Sequence, residues 1–316
     1  MRLLPFDAPY LRLLPALSIA LYAGCGDSVS IPDNPNNTPE IEYETLNQKV
    51  FVSPAEFKEA VEAGAIVYDQ RSAEKYGVEH VAGAIRFDWK AFAIPEKNGI
   101  VKESPEELEA IARSYGLQKG KKVVIYGDWG SSASNNSRAY WTLEYLGHND
   151  VYLLNGDIEA LKAAGLTFNA EPVTAPAGDF EVKVRPQIRA TYQEVVAATA
   201  NGEAVIVDTR TPEEYEGTDL RGNPRGGHVP GSVHIEWTRT FDAEQKSLLS
   251  DDQLRSLLET NGVVPGKYVV GYCQSGVRSS FFYVILRKLG YPVVRNYDGS
   301  AWEWSRQPDA PVNTGT

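Results

Sequence analysis

The chain has 316 residues, of which 42% are hydrophobic, and a formal net charge of −11 at pH 7. This length and apolar content are enough for two domains, each with its own core. The acidic balance argues against nucleic acid as a partner, although a local cradle of N–H groups and arginines could still bind a small anion. The four histidines lack metal-ligand spacing, so the sequence predicts neither a metal site nor a cofactor.

Residues 1–24 have the pattern of a secretion signal. Two arginines precede an apolar stretch at 13–21, which is too short to span a bilayer as a stable helix. The residues that end at Cys25 resemble a bacterial lipoprotein signal, although Tyr22 stands where leucine is usual; an ordinary cleaved signal peptide is the alternative. Gly26, rather than aspartate, favours anchoring in the outer membrane, facing the periplasm. We therefore expect an exported protein that meets the membrane only through a lipid on Cys25.

The rest of the chain divides into a tether, two similar domains and a tail. The tether is rich in proline, asparagine and acidic residues, with little to bury, and a second proline-containing stretch separates the domains. The predicted boundaries are a tether at 25–45, an N-terminal domain at 46–168, a linker at 169–185, a C-terminal domain at 186–308 and a tail at 309–316.

The two domains repeat each other. Asp69 and Arg71 follow an apolar run in the first half, as Asp208 and Arg210 do in the second. Short apolar strands alternate with helices in both, which predicts an α/β fold of two tandem domains, each a parallel sheet with helices on both faces. Such Asp-x-Arg pairs usually tie a turn together by charge-assisted hydrogen bonds, but Arg210 could equally face an anion site.

Cys273 ends an apolar run at 268–272 and comes shortly before a second apolar, helix-like stretch at 281–289. A cysteine at a strand-to-helix turn lies where loop N–H groups and the helix N-terminus lower the thiol pKa. A buried structural cysteine is the alternative, but the neighbours of Cys273 are polar and positive. If Cys25 is acylated or removed, Cys273 is the remaining cysteine, and a lone thiol in an oxidising compartment suggests chemistry.

Three motifs resemble a known family. They are Cys273-Gln-Ser-Gly-Val-Arg278, Gly227-His-Val-Pro-Gly231 and Tyr297-Asp-Gly-Ser-Ala-Trp-Glu-Trp304. Together with the tandem repeat, they resemble the two-domain rhodanese sulfurtransferases over about residues 46–306. The resemblance implies a catalytic C-terminal domain and a silent N-terminal copy. Asp128 occupies the position that matches Cys273, and its loop is expected to continue through Ser137.

The resemblance also implies a mechanism. The Cys273 thiolate attacks the outer sulfur of thiosulfate, sulfite leaves, and cyanide or a thiol then removes the sulfur from the persulfide. Arg278 is expected to bind the anionic oxygens of the substrate, and the loop N–H groups are expected to hold the charge of the persulfide. The predicted substrate-binding residues are Arg278, Gln274, Ser275, Gly276, Val277 and Arg210.

Other interpretations of the same residues differ in the sulfur donor or in the type of reaction. Gln274, Glu214 and Ala301 depart from patterns found in relatives, so 3-mercaptopyruvate is the alternative donor. A sulfur carrier with negligible turnover, or a structural lipoprotein, is the non-enzymatic alternative. A dual-specificity phosphatase is disfavoured because its loop has five residues between cysteine and arginine, whereas this chain has four. The sequence does not fix the oligomeric state; we expect a monomer.

Overall fold

The computed structural model describes residues 49–130, 133–244 and 246–315. The predicted signal segment at 1–24 and the whole of the predicted tether at 25–45, including Cys25, lie outside these ranges. The description of the N-terminal domain therefore begins at residue 49.

The N-terminal domain contains a five-stranded sheet in which every pair of neighbours is parallel, in the order β1-β6-β5-β2-β4. Its strands are β1 (Phe51–Val52), β2 (Ile66–Asp69), β4 (Ile85–Arg86), β5 (Val123–Tyr126) and β6 (Val151–Leu154). Its helices are α1 (Pro54–Glu62), α2 (Ala73–Val78), α3 (Pro105–Ser114), α4 (Ala133–Tyr145) and α5 (Ile158–Ala163), with 3-10 turns at Trp89–Phe92 and Pro95–Lys97.

The C-terminal domain repeats this arrangement, with parallel strands in the order β8-β14-β13-β9-β10. Its strands are β8 (Arg189–Ala190), β9 (Ala204–Asp208), β10 (Val233–His234), β13 (Tyr268–Tyr272) and β14 (Val293–Tyr297). Its helices are α6 (Tyr192–Asn201), α7 (Pro212–Glu216), α8 (Asp251–Thr260), α9 (Arg278–Lys288) and α10 (Ser300–Trp304), with 3-10 turns at Pro186–Ile188 and Trp237–Thr240. The predicted fold of two tandem α/β domains is confirmed.

Two short antiparallel pairs lie outside the main sheets. One joins β3 (His80–Val81) to β7 (Phe168–Asn169), and the other joins β11 (Phe241–Asp242) to β12 (Ser247–Leu248).

The central strands are buried on both faces because helices cover each sheet from two sides. All four residues of β2 and of β5 are buried, as are the last four residues of β13. Such strands read as continuous apolar runs rather than as alternating patterns. This is why the sequence identifies them easily.

The two domains pack through the corresponding helices α4 and α9, and one hydrophobic cluster includes core residues of both domains. Glu144 of α4 accepts hydrogen bonds from the Tyr283 hydroxyl at 2.7 Å and from Arg287 Nη1 at 2.9 Å, both on α9. Both charged side chains are at most 4% exposed. The interface therefore combines apolar packing with a buried ion pair.

The predicted linker lies against the N-terminal domain. The Phe180 amide donates to the Leu117 carbonyl at 3.2 Å, the Arg185 amide donates to the Tyr145 carbonyl at 2.8 Å, and the Phe180 ring is buried. In the predicted tail, Asn313 exchanges two backbone hydrogen bonds with His228. Both segments are thus bound to a domain surface.

Within the described ranges, no helix has the length and apolar character needed to cross a bilayer. The same ranges contain no group of three or more His, Cys, Asp or Glu side chains placed to hold a metal ion.

Candidate functional site

Cys273 lies at the carboxyl end of β13, the middle strand of the C-terminal sheet. Residues 273–277 form the turn between β13 and α9, which begins at Arg278. Gly276 adopts the left-handed conformation with φ of +72°, which favours glycine. The predicted strand-to-helix turn is present, at the edge of the sheet where parallel α/β folds bind ligands.

The Cys273 thiol is buried, with 1% of the residue exposed, yet polar groups surround it. Ser279 Oγ lies 3.6 Å from Cys273 Sγ and 2.6 Å from Asn296 Oδ1, and its single proton can be donated to one of these acceptors at a time. Burial by itself raises the pKa of this thiol, but the charge of Arg278 and hydrogen bonds from the amides of Ser279 and Ser275 outweigh it. The pKa of Cys273 is therefore held below its ordinary value, which favours the nucleophilic thiolate.

Arg278 forms a two-point ion pair with Glu214, the third residue of α7. Arg278 Nη1 and Nη2 donate to the two carboxylate oxygens at 2.5 and 2.8 Å. The side chains are 16% and 1% exposed, respectively. Burial raises the pKa of Glu214, but the Arg278 bonds outweigh this effect and lower it. Arg278 thus already holds one carboxylate, and its predicted role in binding substrate oxygens stays a prediction.

The side chain of Gln274 is held by the loop between α7 and β10. Gln274 and Asn223 form a reciprocal pair of amide hydrogen bonds, each 2.9 Å long. The loop is fixed in turn by Arg225, whose guanidinium donates to carbonyl oxygens near the end of the C-terminal domain. These acceptors are Trp304, Ser305, Gln307 and Ala310. Gln274 is thus half-buried and oriented at the site.

Ser300 ties the turn at residues 273–277 to the segment that follows β14. Its Oγ accepts hydrogen bonds from the amides of Cys273 at 3.1 Å and Gly276 at 2.9 Å, and donates to the Tyr297 carbonyl at 2.6 Å. Ser300 is fully buried, with φ of +51°, a conformation that costs a residue with a Cβ. A strained residue that satisfies two turn amides is consistent with a site under functional constraint.

Arg210 is part of a buried tie that occurs in both domains. Its Nε and Nη2 donate to the Asp208 carboxylate at 2.6 to 3.0 Å, and Nη2 also donates to the Gly227 carbonyl at 2.8 Å. Arg71 makes the matching bonds to Asp69 in the N-terminal domain. This geometry favours a structural role for Arg210, and binding of substrate by this residue is a prediction without support from its contacts.

Comparison with known proteins identifies the family. The profile of the rhodanese-like domain matches residues 53–164 and 191–307, one match in each of the two repeated domains. The chain belongs to the rhodanese family.

Curated relatives of this rhodanese cover most of the chain. The sulfur carrier protein TtuD of Thermus thermophilus is 33% identical over 76% of this chain and 87% of its own length. A thiosulfate sulfurtransferase of Pseudomonas aeruginosa is 31% identical over 78% of this chain and 90% of its own. A solved structure of the anaerobic ergothioneine biosynthesis enzyme from Chlorobium limicola shares the fold, with a TM-score of 0.73 and 23% identity over 88% of this chain and 72% of that one.

The matching position in the N-terminal rhodanese domain has no thiol. Asp128 follows β5, as predicted, and pairs with Lys75 Nζ at 2.7 Å. The expectation that a serine-rich loop continues through Ser137 is wrong, because α4 begins at Ala133. Serine is compatible with the first turns of a helix, and the buried face of α4 stabilises them.

Sequence reasoning did not assign a role in the site to Ser279, Ser300, Asn223 or Arg138. Ser300 lies inside the motif that carries the family resemblance, so a signal was present for that residue. Ser279 directly follows the Cys273 to Arg278 motif, so it too was near a signal. Asn223 and Arg138 contact the turn across 51 and 138 residues, and no local pattern marks them.

Proposed function

We propose that this rhodanese is a thiosulfate sulfurtransferase that works through a persulfide on Cys273. The thiolate attacks the outer sulfur of thiosulfate, the S–S bond breaks, and sulfite leaves with the electron pair. The carbon of cyanide, or the sulfur of a thiol, then attacks the outer sulfur of the persulfide and releases the Cys273 thiolate. The products are thiocyanate or an acceptor persulfide, and no oxidant or reductant is consumed.

The observation that carries this proposal is the environment of Cys273. The thiol has a lowered pKa although it is buried, because Arg278 and the turn amides stabilise the thiolate. Loop amides and the Arg278 charge can also stabilise the negative charge of a terminal persulfide sulfur, which lies one S–S bond, about 2 Å, beyond Cys273 Sγ. Two half-reactions on one sulfur predict ping-pong kinetics.

Replacement of Cys273 by serine tests the proposal most directly. We expect Cys273→Ser to abolish the formation of thiocyanate from thiosulfate and cyanide, because an alkoxide is not available at neutral pH, while the fold is retained. The measurement is steady-state thiocyanate production beside circular dichroism. Cys25→Ser is the matched control and should keep full activity in solution; substantial activity of Cys273→Ser would reject the site.

Two alternatives remain within the same chemistry. The donor could be 3-mercaptopyruvate, and a comparison of kcat/KM for the two donors distinguishes them. A sulfur carrier with little turnover is favoured by the name of the Thermus thermophilus relative. Mass spectrometry after exposure to thiosulfate separates carrier from enzyme: a gain of one sulfur on Cys273 without repeated thiocyanate release indicates a carrier.

We also propose that the protein is exported and anchored to the outer membrane by a lipid on Cys25. This proposal depends on the sequence of the first 26 residues alone. Expression of the full chain in a Gram-negative host, with a fatty-acid label and membrane fractionation, tests it. Label on the wild type and its loss in Cys25→Ser would support lipidation, whereas equal labelling of both, or of neither, would contradict it.

A further inference from the structure

Arg138 of the silent N-terminal domain reaches the catalytic turn of the C-terminal domain. It lies on α4 and is fully buried. Its Nη1 donates to the Gly276 carbonyl at 3.1 Å, and its Nη2 donates to the Gly99 carbonyl. The guanidinium also lies 4.6 Å from the ring centre of Trp141 and 5.1 Å from that of Trp89. One cation therefore joins the N-terminal domain to the turn that carries Cys273.

The contact leaves no free space around Gly276. A Cβ at this position would lie 2.5 Å from Arg138 Nη1 and 2.6 Å from Asp298 Cα. The Gly276 carbonyl also accepts a hydrogen bond from Asn296 Nδ2 at 3.0 Å. Two donors thus fix the orientation of one peptide group in the turn, and the neighbouring amides are fixed with it because the turn is short.

Two arginines near the Cys273 turn are paired with carboxylates, and a third, Arg138, is not. Arg278 is already paired with Glu214 on one side of the turn. On the other side, Arg189 binds the buried Asp298 at 2.9 Å, whereas the described hydrogen bonds of Arg138 go to two carbonyl oxygens and to no carboxylate. Burial lowers the pKa of Arg138 to about 10, opposed by Asp298 and by Cys273, and the side chain stays protonated at neutral pH. After Asp298, an ionised Cys273 is the second negative charge that favours the protonated form of Arg138.

We propose that Arg138 is a positioning residue of the active site, supplied by the silent domain, which fixes the Gly276 peptide and favours the ionised form of Cys273. The proposal rests on the proposed function insofar as Cys273 reacts as a thiolate. It gives the domain without a cysteine a direct part in the chemistry, beyond its contribution to folding.

The test compares Arg138→Met, which removes the charge at similar volume, with Arg138→Lys, which keeps the charge but cannot hold both carbonyls in the same geometry. The first readout is the pH dependence of Cys273 alkylation by iodoacetamide, followed on the Cys273 peptide by mass spectrometry in the full chain. The second is steady-state thiocyanate production. Arg71→Met is the matched control, because it removes another buried arginine of the N-terminal domain, one whose hydrogen bonds go to Asp69 and Glu79 and not to the turn.

We expect Arg138→Met to slow alkylation at pH 7 by about tenfold and to move its midpoint to higher pH. Arg138→Lys should keep the wild-type midpoint while thiocyanate production falls, and Arg71→Met should keep the midpoint. A wild-type alkylation profile in Arg138→Met, or an equal shift in Arg71→Met, would overturn the proposal. If Arg138→Met does not fold, Arg138→Lys decides alone, since unimpaired turnover in that variant contradicts positioning.

Failure of the proposed sulfurtransferase function would give a different result from failure of the Arg138 proposal. In that case the wild type forms no persulfide with thiosulfate, while the alkylation profiles still differ between the wild type and Arg138→Met.

Discussion

At the residue scale, one thiol depends on a small set of charges. Arg278 stabilises the Cys273 thiolate, and Glu214 limits how strongly it does so by sharing the guanidinium. The ion pair also fixes the direction of the Arg278 side chain, which a free arginine at the start of a helix would not have. Glu214 itself is fixed by the capping box that it forms with Thr211.

Loss of the Arg278 charge should change the pH dependence of the reaction. Since Arg278 lowers the pKa of Cys273, Arg278→Ala raises that pKa, and the acidic limb of kcat/KM for thiosulfate moves to higher pH. We expect the activity at pH 7 to fall about tenfold, with a smaller loss at pH 9. The measurement is kcat/KM at subsaturating thiosulfate across this pH range.

Glu214→Gln is the matched control for this experiment. It removes the partner of Arg278 but leaves the positive charge, so the acidic limb should not move to higher pH. Equal losses in Arg278→Ala at every pH would exclude an electrostatic role for Arg278 in ionising Cys273.

At the element scale, the Cys273 turn is fixed by hydrogen bonds from neighbouring segments as well as by its own residues. The Ala301 and Trp302 amides of α10 donate to the carbonyls of Cys273 and Gln274 at 3.0 and 3.1 Å, while Ser300 accepts from the turn. The end of β14 and the start of α10 therefore fix the turn between β13 and α9. The segments that follow β13 and β14 are therefore joined by hydrogen bonds into one unit.

Removal of the Ser300 hydroxyl should disturb this unit. Ser300→Ala leaves two buried amides without their acceptor, which should lower the free energy of unfolding by about 2 kcal/mol and reduce kcat/KM. Ser305→Ala is the control, because the Ser305 hydroxyl donates to the Trp302 carbonyl at 3.2 Å and does not contact the turn. Urea denaturation and thiocyanate production measure the two effects; equal behaviour of the two variants would contradict this role.

At the scale of the whole molecule, the two repeats form one structure. Helices α4 and α9 bury an ion pair between the domains, and the linker lies along the N-terminal domain with a buried aromatic residue, Phe180. The His148 ring, just after α4, stacks on Phe180 with ring centres 5.3 Å apart, and its Nδ1 accepts the Asp150 amide at 3.2 Å. A buried histidine at this junction makes its stability sensitive to acid.

Burial lowers the pKa of His148 to about 4 in the folded protein, against 6.5 as its ordinary value. Between these values the unfolded chain binds the proton and the folded chain does not, so the stabilisation is complete above pH 6.5 and is lost as the pH falls toward 4. We expect this group to remove about 3 kcal/mol of unfolding free energy between pH 7 and pH 4.

His148→Asn should therefore show a weaker pH dependence over this interval, whatever its stability at pH 7. Urea denaturation of both proteins from pH 8.5 to pH 4 checks this. The difference in unfolding free energy between the two proteins should stay constant above pH 7. Parallel plots of unfolding free energy against pH below pH 6 would show that His148 does not titrate as proposed.

Local patterns in the sequence were sufficient for the architecture. The strands β2, β5 and β13 are short apolar runs because they are buried on both faces, and the repeat of Asp-x-Arg at the ends of β2 and β9 marks the tandem domains. The position of Cys273 at a strand end follows from its immediate neighbours. These features depend on residues adjacent in the chain, so they can be read without a structure.

The partners of the site were decided only by tertiary structure. Arg278 meets Glu214 across 64 residues, and Arg138 meets Gly276 across 138. Such pairs depend on the order of strands within a sheet and on how α4 packs against α9, neither of which leaves a periodic signal in the chain. The sequence located the sulfur atom, and the packing of two domains determined which charges surround it.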